Sequence, residues 1–185
     1  MIDILHKPKV TATKVSKVTG SSFKLINQDL INSVSENASI NTRLRHHYTL
    51  HKTYHEKVQR FLNAMQLGTY VRPHRHQPIA GENRFELFIV LQGSVGIILF
   101  DDLSQIIHQE QLNANGKTSG IELCEGTYHT ALCLSPNTVI LEIKEGPYDP
   151  HTDKEFLSGF PVEGTLEAQN QVQTWQSYFN DRSCV

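Results

Sequence analysis

Gly68-Thr69-Tyr70-Val71-Arg72-Pro73-His74-Arg75-His76 is the stretch on which the reading of this chain turns. Taken as a strand, it places Tyr70, Arg72, His74 and His76 at one parity and therefore on one face. Four polar groups turned into a protein interior cost several kcal/mol unless water, mutual hydrogen bonds, a ligand or a metal satisfies them. Two histidines at i and i+2 can aim ring nitrogens at one ion about 2.0–2.2 Å away, and neutral imidazole suits iron, zinc, manganese or nickel. Further ligands must come from elsewhere in the chain.

Downstream, Glu86 opens the apolar run Glu86-Leu-Phe-Ile-Val-Leu-Gln-Gly93, where an ionised carboxylate needs a cation. His129 follows a glycine turn in Cys124-Glu125-Gly126-Thr127-Tyr128-His129, on a strand able to lie opposite the first pair in a closed barrel. Three imidazoles and one carboxylate leave coordination positions open for substrate or water. Glu82, in the loop between His76 and Glu86, is a rival for the carboxylate position.

Around these residues the texture is short β-type runs separated by Gly, Asn, Asp and Pro clusters, as in an antiparallel jelly roll or barrel. The pattern predicts strands at Gln66–Val71, Phe85–Leu91, Val95–Phe100, Ile106–Leu112, Gly120–Leu123, His129–Leu134 and Val139–Lys144. Gln92-Gly93-Ser94, Asn113-Ala114-Asn115-Gly116 and Ser135-Pro136-Asn137 carry the turn chemistry between them. The organisation expected is an arm or edge strand over 1–22, a helical lead-in over 23–63, a β-barrel over 64–150 and an extension over 151–185. In that extension Leu166, Val172, Trp175 and Phe179 recur at helical spacing, with Trp175 packing the helix onto the barrel.

The 185 residues suit one domain, and a formal charge of −2 offers no large field for nucleic acid or an anionic membrane. A small-molecule partner fits better. Three cysteines without CxxC spacing argue against a disulfide framework and a cysteine zinc site. The start, MIDILHKPKV, lacks a signal-type apolar run, and no stretch approaches the roughly 20 apolar residues that span a bilayer, so a cytoplasmic protein is expected. Exposed sheet edges and the N-terminal arm favour a homodimer.

These motifs resemble the cupin family. Gly68 with five residues to His74, the His74-x-His76 pair, and Glu86 with six residues to Gly93 are similar to its first motif, and Gly126-x-x-His129 to the end of its second. Nine residues separate His76 from Glu86, a longer loop than the family's, and Cys124 stands where proline is common. The likeness narrows to WbuC-type cupin metalloproteins through Arg43-Leu-Arg45, Gln59-Arg60-Phe-Leu-Asn63-Ala64, Tyr70 to His76, Phe100-Asp101-Asp102, Glu142-Ile-Lys144-Glu-Gly-Pro-Tyr148 and Lys154-Glu155-Phe156. It implies a mainly β cupin barrel with one divalent ion on His74, His76, Glu86 and His129. It also implies a setting in bacterial surface-polysaccharide (O-antigen) synthesis, with a sugar or nucleotide sugar as ligand.

Around the ion, Arg72 shares the ligand face and is expected to bind a substrate carboxylate or phosphate, with Arg60 as a further anion contact. Tyr70 is expected to move a proton or to support the histidines, and Glu142 and Lys144 on the last strand to act as an acid/base or anion-binding pair or to form an internal ion pair. His46, His47, His51 and His55 cluster too, but without a carboxylate partner they read as a solvated helix. Fold alone leaves the reaction open: a sugar isomerase or epimerase, an Fe(II) oxygenase, and a non-catalytic sugar-binding module all use such sites.

Overall fold

The structure is a computed structural model that describes residues 22–77 and 84–180. Among the described residues, ten strands form two five-stranded sheets, ordered β1-β2-β9-β4-β7 and β10-β3-β8-β5-β6. In chain order these are β1 (Arg45–Thr49), β2 (Val58–Met65), β3 (His74–Arg75), β4 (Glu86–Gln92), β5 (Ser94–Phe100), β6 (Ile106–Asn113), β7 (Gly120–Leu123), β8 (Tyr128–Cys133), β9 (Thr138–Glu145) and β10 (Glu155–Phe156). Helix α1 (Gln28–Ser39) precedes them and α2 (Leu166–Asn180) follows. The pairings are antiparallel throughout, and the result is the mainly β, two-sheet antiparallel barrel that the strand pattern implied.

Each sheet packs a helix on its outer face. Asn27 caps α1 by accepting the Leu30 N–H at 3.1 Å, and Ile31, Val34, Ser35 and Ala38 make its buried stripe. That stripe lies against Leu62, Ala64 and Val139, the outward residues of β2 and β9. On the other side α2 buries Ala168, Val172, Trp175 and Phe179 against Ile98, Phe100 and Leu132. Gly96 makes this approach possible, because a Cβ there would sit 2.6 Å from the Phe179 ring.

The inward residues run in rows across the first sheet. Gln59, Lys144 and Glu86 stand side by side, then Phe61, Glu142 and Phe88, then Asn63, Ile140 and Val90. From the opposite sheet His129, Ala131 and Cys133 face them, and the far end closes with Met65, Val90, Val95, Ile97, Leu112 and Ile140. The barrel interior is thus polar at one mouth and apolar at the other.

Three expectations need correction. The helical lead-in stops at Ser39, because residues 45–49 and 58–65 are strands. Val58–Met65 shows no polar–apolar alternation, since α1 covers one face and the barrel interior the other; a strand buried on both faces lacks the period-2 signal. Next, Gln66–Val71 is a turn and loop rather than a strand, with Thr69 N–H and Oγ1 both donating to Gln66 O. Finally, the barrel extends beyond 64–150 at both ends, to β1 and to β10. Of the proposed 1–22 arm only Ser22 is among the described residues, and Glu82 lies outside them.

Candidate metal centre and cavity

His74 and His129 are register partners on β3 and β8, and Glu86 starts β4 in the facing sheet. His76 lies just past the end of β3. All four side chains are buried, at 3–5% exposure. The ligand atoms of His74, His76 and Glu86 lie within 4.8 Å of one another, and His129 Nε2 is 2.9 Å from Glu86 Oε2. His76 Nε2 stands 3.4 Å from the same oxygen.

The other ring nitrogens fix the tautomers. His74 Nδ1 donates to Arg72 O at 2.9 Å, His129 Nδ1 to Thr127 O at 2.9 Å, and His76 Nδ1 to Asp153 O at 2.5 Å. A carbonyl oxygen only accepts, so each neutral ring carries its proton on Nδ1 and turns the Nε2 lone pair inward. Burial, together with the charge on Lys154, holds His74 well below the ordinary histidine range, which keeps it neutral as a ligand must be. Burial alone would raise the Glu86 carboxyl, but positive charge and hydrogen-bond donation from the His76 and His129 rings outweigh it and hold it well below the ordinary range; with those rings neutral, a bound cation has to take over that role. With the rings neutral, their inward lone pairs converge on that carboxylate. His76 Nε2 and Glu86 Oε2 have no hydrogen-bond partner although both are buried. This donor set fits a divalent transition metal, whose ligand distances of about 2.0–2.2 Å small side-chain movements would supply.

The cluster forms part of the wall of a cavity of about 700 Å3. Of the sequence candidates, Arg72, Glu142 and Lys144 also line it. Arg72 lies over the Phe156 ring at 5.0 Å. Glu142 accepts from Asn63 Nδ2 at 3.3 Å; burial pushes its carboxyl well above the ordinary range, and the Glu86 carboxylate adds to the push. Lys144 Nζ donates to both Asp153 carboxylate oxygens at 2.6 and 2.7 Å.

Two candidates fall elsewhere. Tyr70 packs beneath α2, stacked on Trp175 at 5.9 Å, with its hydroxyl donating to Pro161 O at 2.8 Å. The parity argument that put it beside His74 required a strand, and residues 68–73 form none. Arg60 pairs with Glu56 in the loop that leads into β2, outside the cavity lining. The four-histidine cluster is no helix: His46 and His47 are on β1, and His51 Nδ1 accepts the Arg60 N–H at 3.0 Å.

Asp153 and Lys154 are the residues sequence reasoning missed. Both line the cavity, and they come from a loop leading into the two-residue β10, too short for any periodicity. Lys154 and His47 keep accessible surface because they form cavity wall, yet protein hems in their charged ends. Burial lowers the Lys154 ammonium below the ordinary lysine range against the pull of Glu86 and Glu142. Burial and the nearby cations Lys154, Arg45 and Arg43 push His47 down to about 3.

Comparison with known proteins adds a family match over part of the chain. A family model described as a domain of unknown function (DUF6016) matches residues 26–112. No curated protein matches. Among solved structures, KdgF from Halomonas sp. is similar at 15% identity and a TM-score of 0.44, over 58% of this chain and 82% of that one. The capsular polysaccharide assembling protein CapF from Staphylococcus aureus is similar at 19% identity and a TM-score of 0.47, over 56% of this chain and 27% of that one. Oxalate decarboxylase from Bacillus subtilis is similar at 14% identity and a TM-score of 0.44, over 55% and 24% respectively. The chain thus spans about a quarter of the latter two proteins.

Proposed function

We propose that this chain is a divalent-metal-binding cupin that acts on a sugar or nucleotide-sugar intermediate of bacterial surface-polysaccharide synthesis, with His74, His76, Glu86 and His129 as the ligands. The observation that supports it best is the convergence of inward Nε2 lone pairs on a buried carboxylate, an arrangement stabilised only by a cation at its centre. The polysaccharide setting rests on the likeness to WbuC-type cupins over Arg43–Arg45, Gln59–Ala64, Tyr70–His76 and Glu142–Tyr148.

When bound, the ion polarises a carbonyl or hydroxyl oxygen of the ligand. The chain's own groups do the rest. Glu142, held protonated beside Glu86, is the proton donor within the cavity, and Asn63 orients it. Lys144 fixes Asp153, whose carbonyl in turn holds the His76 ring. Phe61 and Phe88 flank Glu142 across the sheet and give a ligand apolar surface to lie on.

Elemental analysis of anaerobically purified protein tests this reading. Wild type is expected to carry about one divalent ion per chain, and the His74→Ala, His76→Ala double variant none. Wild-type protein that stays metal-free after reconstitution overturns it.

A further inference from the structure

The cavity's basic groups fall into two sets. Arg43 and Arg45 share Glu163, at 2.9 and 2.6 Å, and Lys144 is bound to Asp153. Arg72 and Lys154 have no carboxylate within ion-pair distance among the described residues, and Arg72 Nε is buried without a hydrogen-bond partner. Both stand on the same side of the metal cluster. Arg72 supplies the carbonyl that orients His74 and lies over Phe156; Phe156 pairs with His74 across β3 and β10, and Lys154 is two residues before it. An orphaned guanidinium and an ammonium at one wall, beside a site that itself takes a divalent cation, leave the cavity with excess positive charge.

We infer that Arg72 and Lys154 form an anion subsite beside the metal cluster, so that the ligand of this cavity carries a carboxylate or phosphate together with oxygens that face the metal. This rests on the reading above that the cavity holds a small molecule next to a bound ion. The planar guanidinium, held over Phe156, supplies paired N–H donors to two oxygens of the anion, while Lys154 supplies a mobile point charge. Neutral sugars leave both cations unpaired and are discriminated against for that reason.

Isothermal titration of the metal-loaded full chain with three matched probes tests the inference: D-glucose, D-glucuronate and D-glucose 1-phosphate. At least one anion is expected to bind ~10-fold or more tightly than D-glucose, the gain of a charge-assisted hydrogen-bond pair. Whichever anion leads identifies the group as carboxylate or phosphate. Lys154→Met and Arg72→Leu are each expected to bring that preference to within about 3-fold, and Arg72→Lys to keep part of it. Metal content and far-ultraviolet circular dichroism, measured on every sample, establish that the variants are folded and loaded. Equal affinity for D-glucose and both anions, no binding of either anion up to about 10 mM, or a preference unchanged in both charge-removing variants overturns the inference. Metal content separates the two readings: a metal-free chain that keeps the anion preference overturns the metal assignment alone, whereas a fully loaded chain without it overturns the subsite alone.

Discussion

Lys144 holds both carboxylate oxygens of Asp153, at 2.6 and 2.7 Å, in a pair whose side chains are 6% and 3% exposed. The same Asp153 uses its main-chain carbonyl to accept the hydrogen bond from His76 Nδ1–H, so the ion pair tethers a ring of the metal cluster from outside the ligand set.

Removing one partner of a buried pair leaves the other charge uncompensated, so Lys144→Met is expected to destabilise the chain by about 3–5 kcal/mol in urea unfolding. The loosened Asp153 loop should also weaken metal binding by roughly 10–100-fold in a chelator competition, as loss of a ligand's orienting partner does. Adding Asp153→Leu should recover much of the stability without restoring metal affinity. Equal metal affinity in Lys144→Met and wild type would show that the pair does not act through His76.

Metal removal tests the cluster differently. A ligand that binds only the folded state at about 100 times its Kd adds about 2.7 kcal/mol, so excess EDTA should lower the Tm of wild type by several degrees. Glu86→Gln keeps the shape of the side chain and removes its charge. Its Tm should be insensitive to EDTA, and calorimetry with and without chelator provides the comparison.

Tyr70 gives the fold an alkaline limit. Burial pushes its hydroxyl from 10.0 up to about 12. The folded state therefore resists ionisation that the unfolded chain undergoes near pH 10, and the contribution is present in full below pH 10 and lost as pH rises to about 12. Tyr70→Phe should lose about 0.5–1.5 kcal/mol at neutral pH with its bond to Pro161 O, and should show a shallower decline between pH 10 and 12. Parallel pH slopes in urea midpoints for the two proteins would contradict this.

At Gly96 the test is steric. A methyl group there meets the Phe179 ring at 2.6 Å, so Gly96→Ala should cost about 1–3 kcal/mol by prising α2 from the second sheet. Phe179→Leu alone should also destabilise, but the double variant should be more stable than the sum of the single effects implies. Thermal unfolding of the four proteins completes the cycle.

Much of this arrangement was readable before any coordinates. The turn residues around Gly93 and the apolar runs from Glu86 onward placed β4 to β9 to within a residue at their ends, because short β-type runs are there bracketed by turn chemistry even where both faces are buried. Glu142 and Lys144 were correctly put on one face of the last strand, and both line the cavity. What escaped notice did so for physical reasons. Residues 58–65 are covered on both faces, so their polarity carries no period, and β3 and β10 are two residues long, too short to show one. Tyr70 was misplaced by a parity rule applied to a loop. Asp153 and Lys154 gave no local signal; their position follows from the pairing of Phe156 with His74, a contact between residues far apart in the chain.

The rows that cross the first sheet divide its labour between two faces. Gln59, Phe61, Asn63, Glu142, Lys144, Glu86 and Phe88 look into the cavity, while Leu62, Ala64, Val139 and Leu141 on the same strands meet α1. Because strand neighbours alternate sides, the chamber's chemistry and the helix's anchorage are written in interleaved letters of one text. Replacing the Phe61–Glu142–Phe88 row would retune what the chamber accepts and leave the α1 seam untouched, so ligand preference in this scaffold is open to redesign in place, without moving a strand.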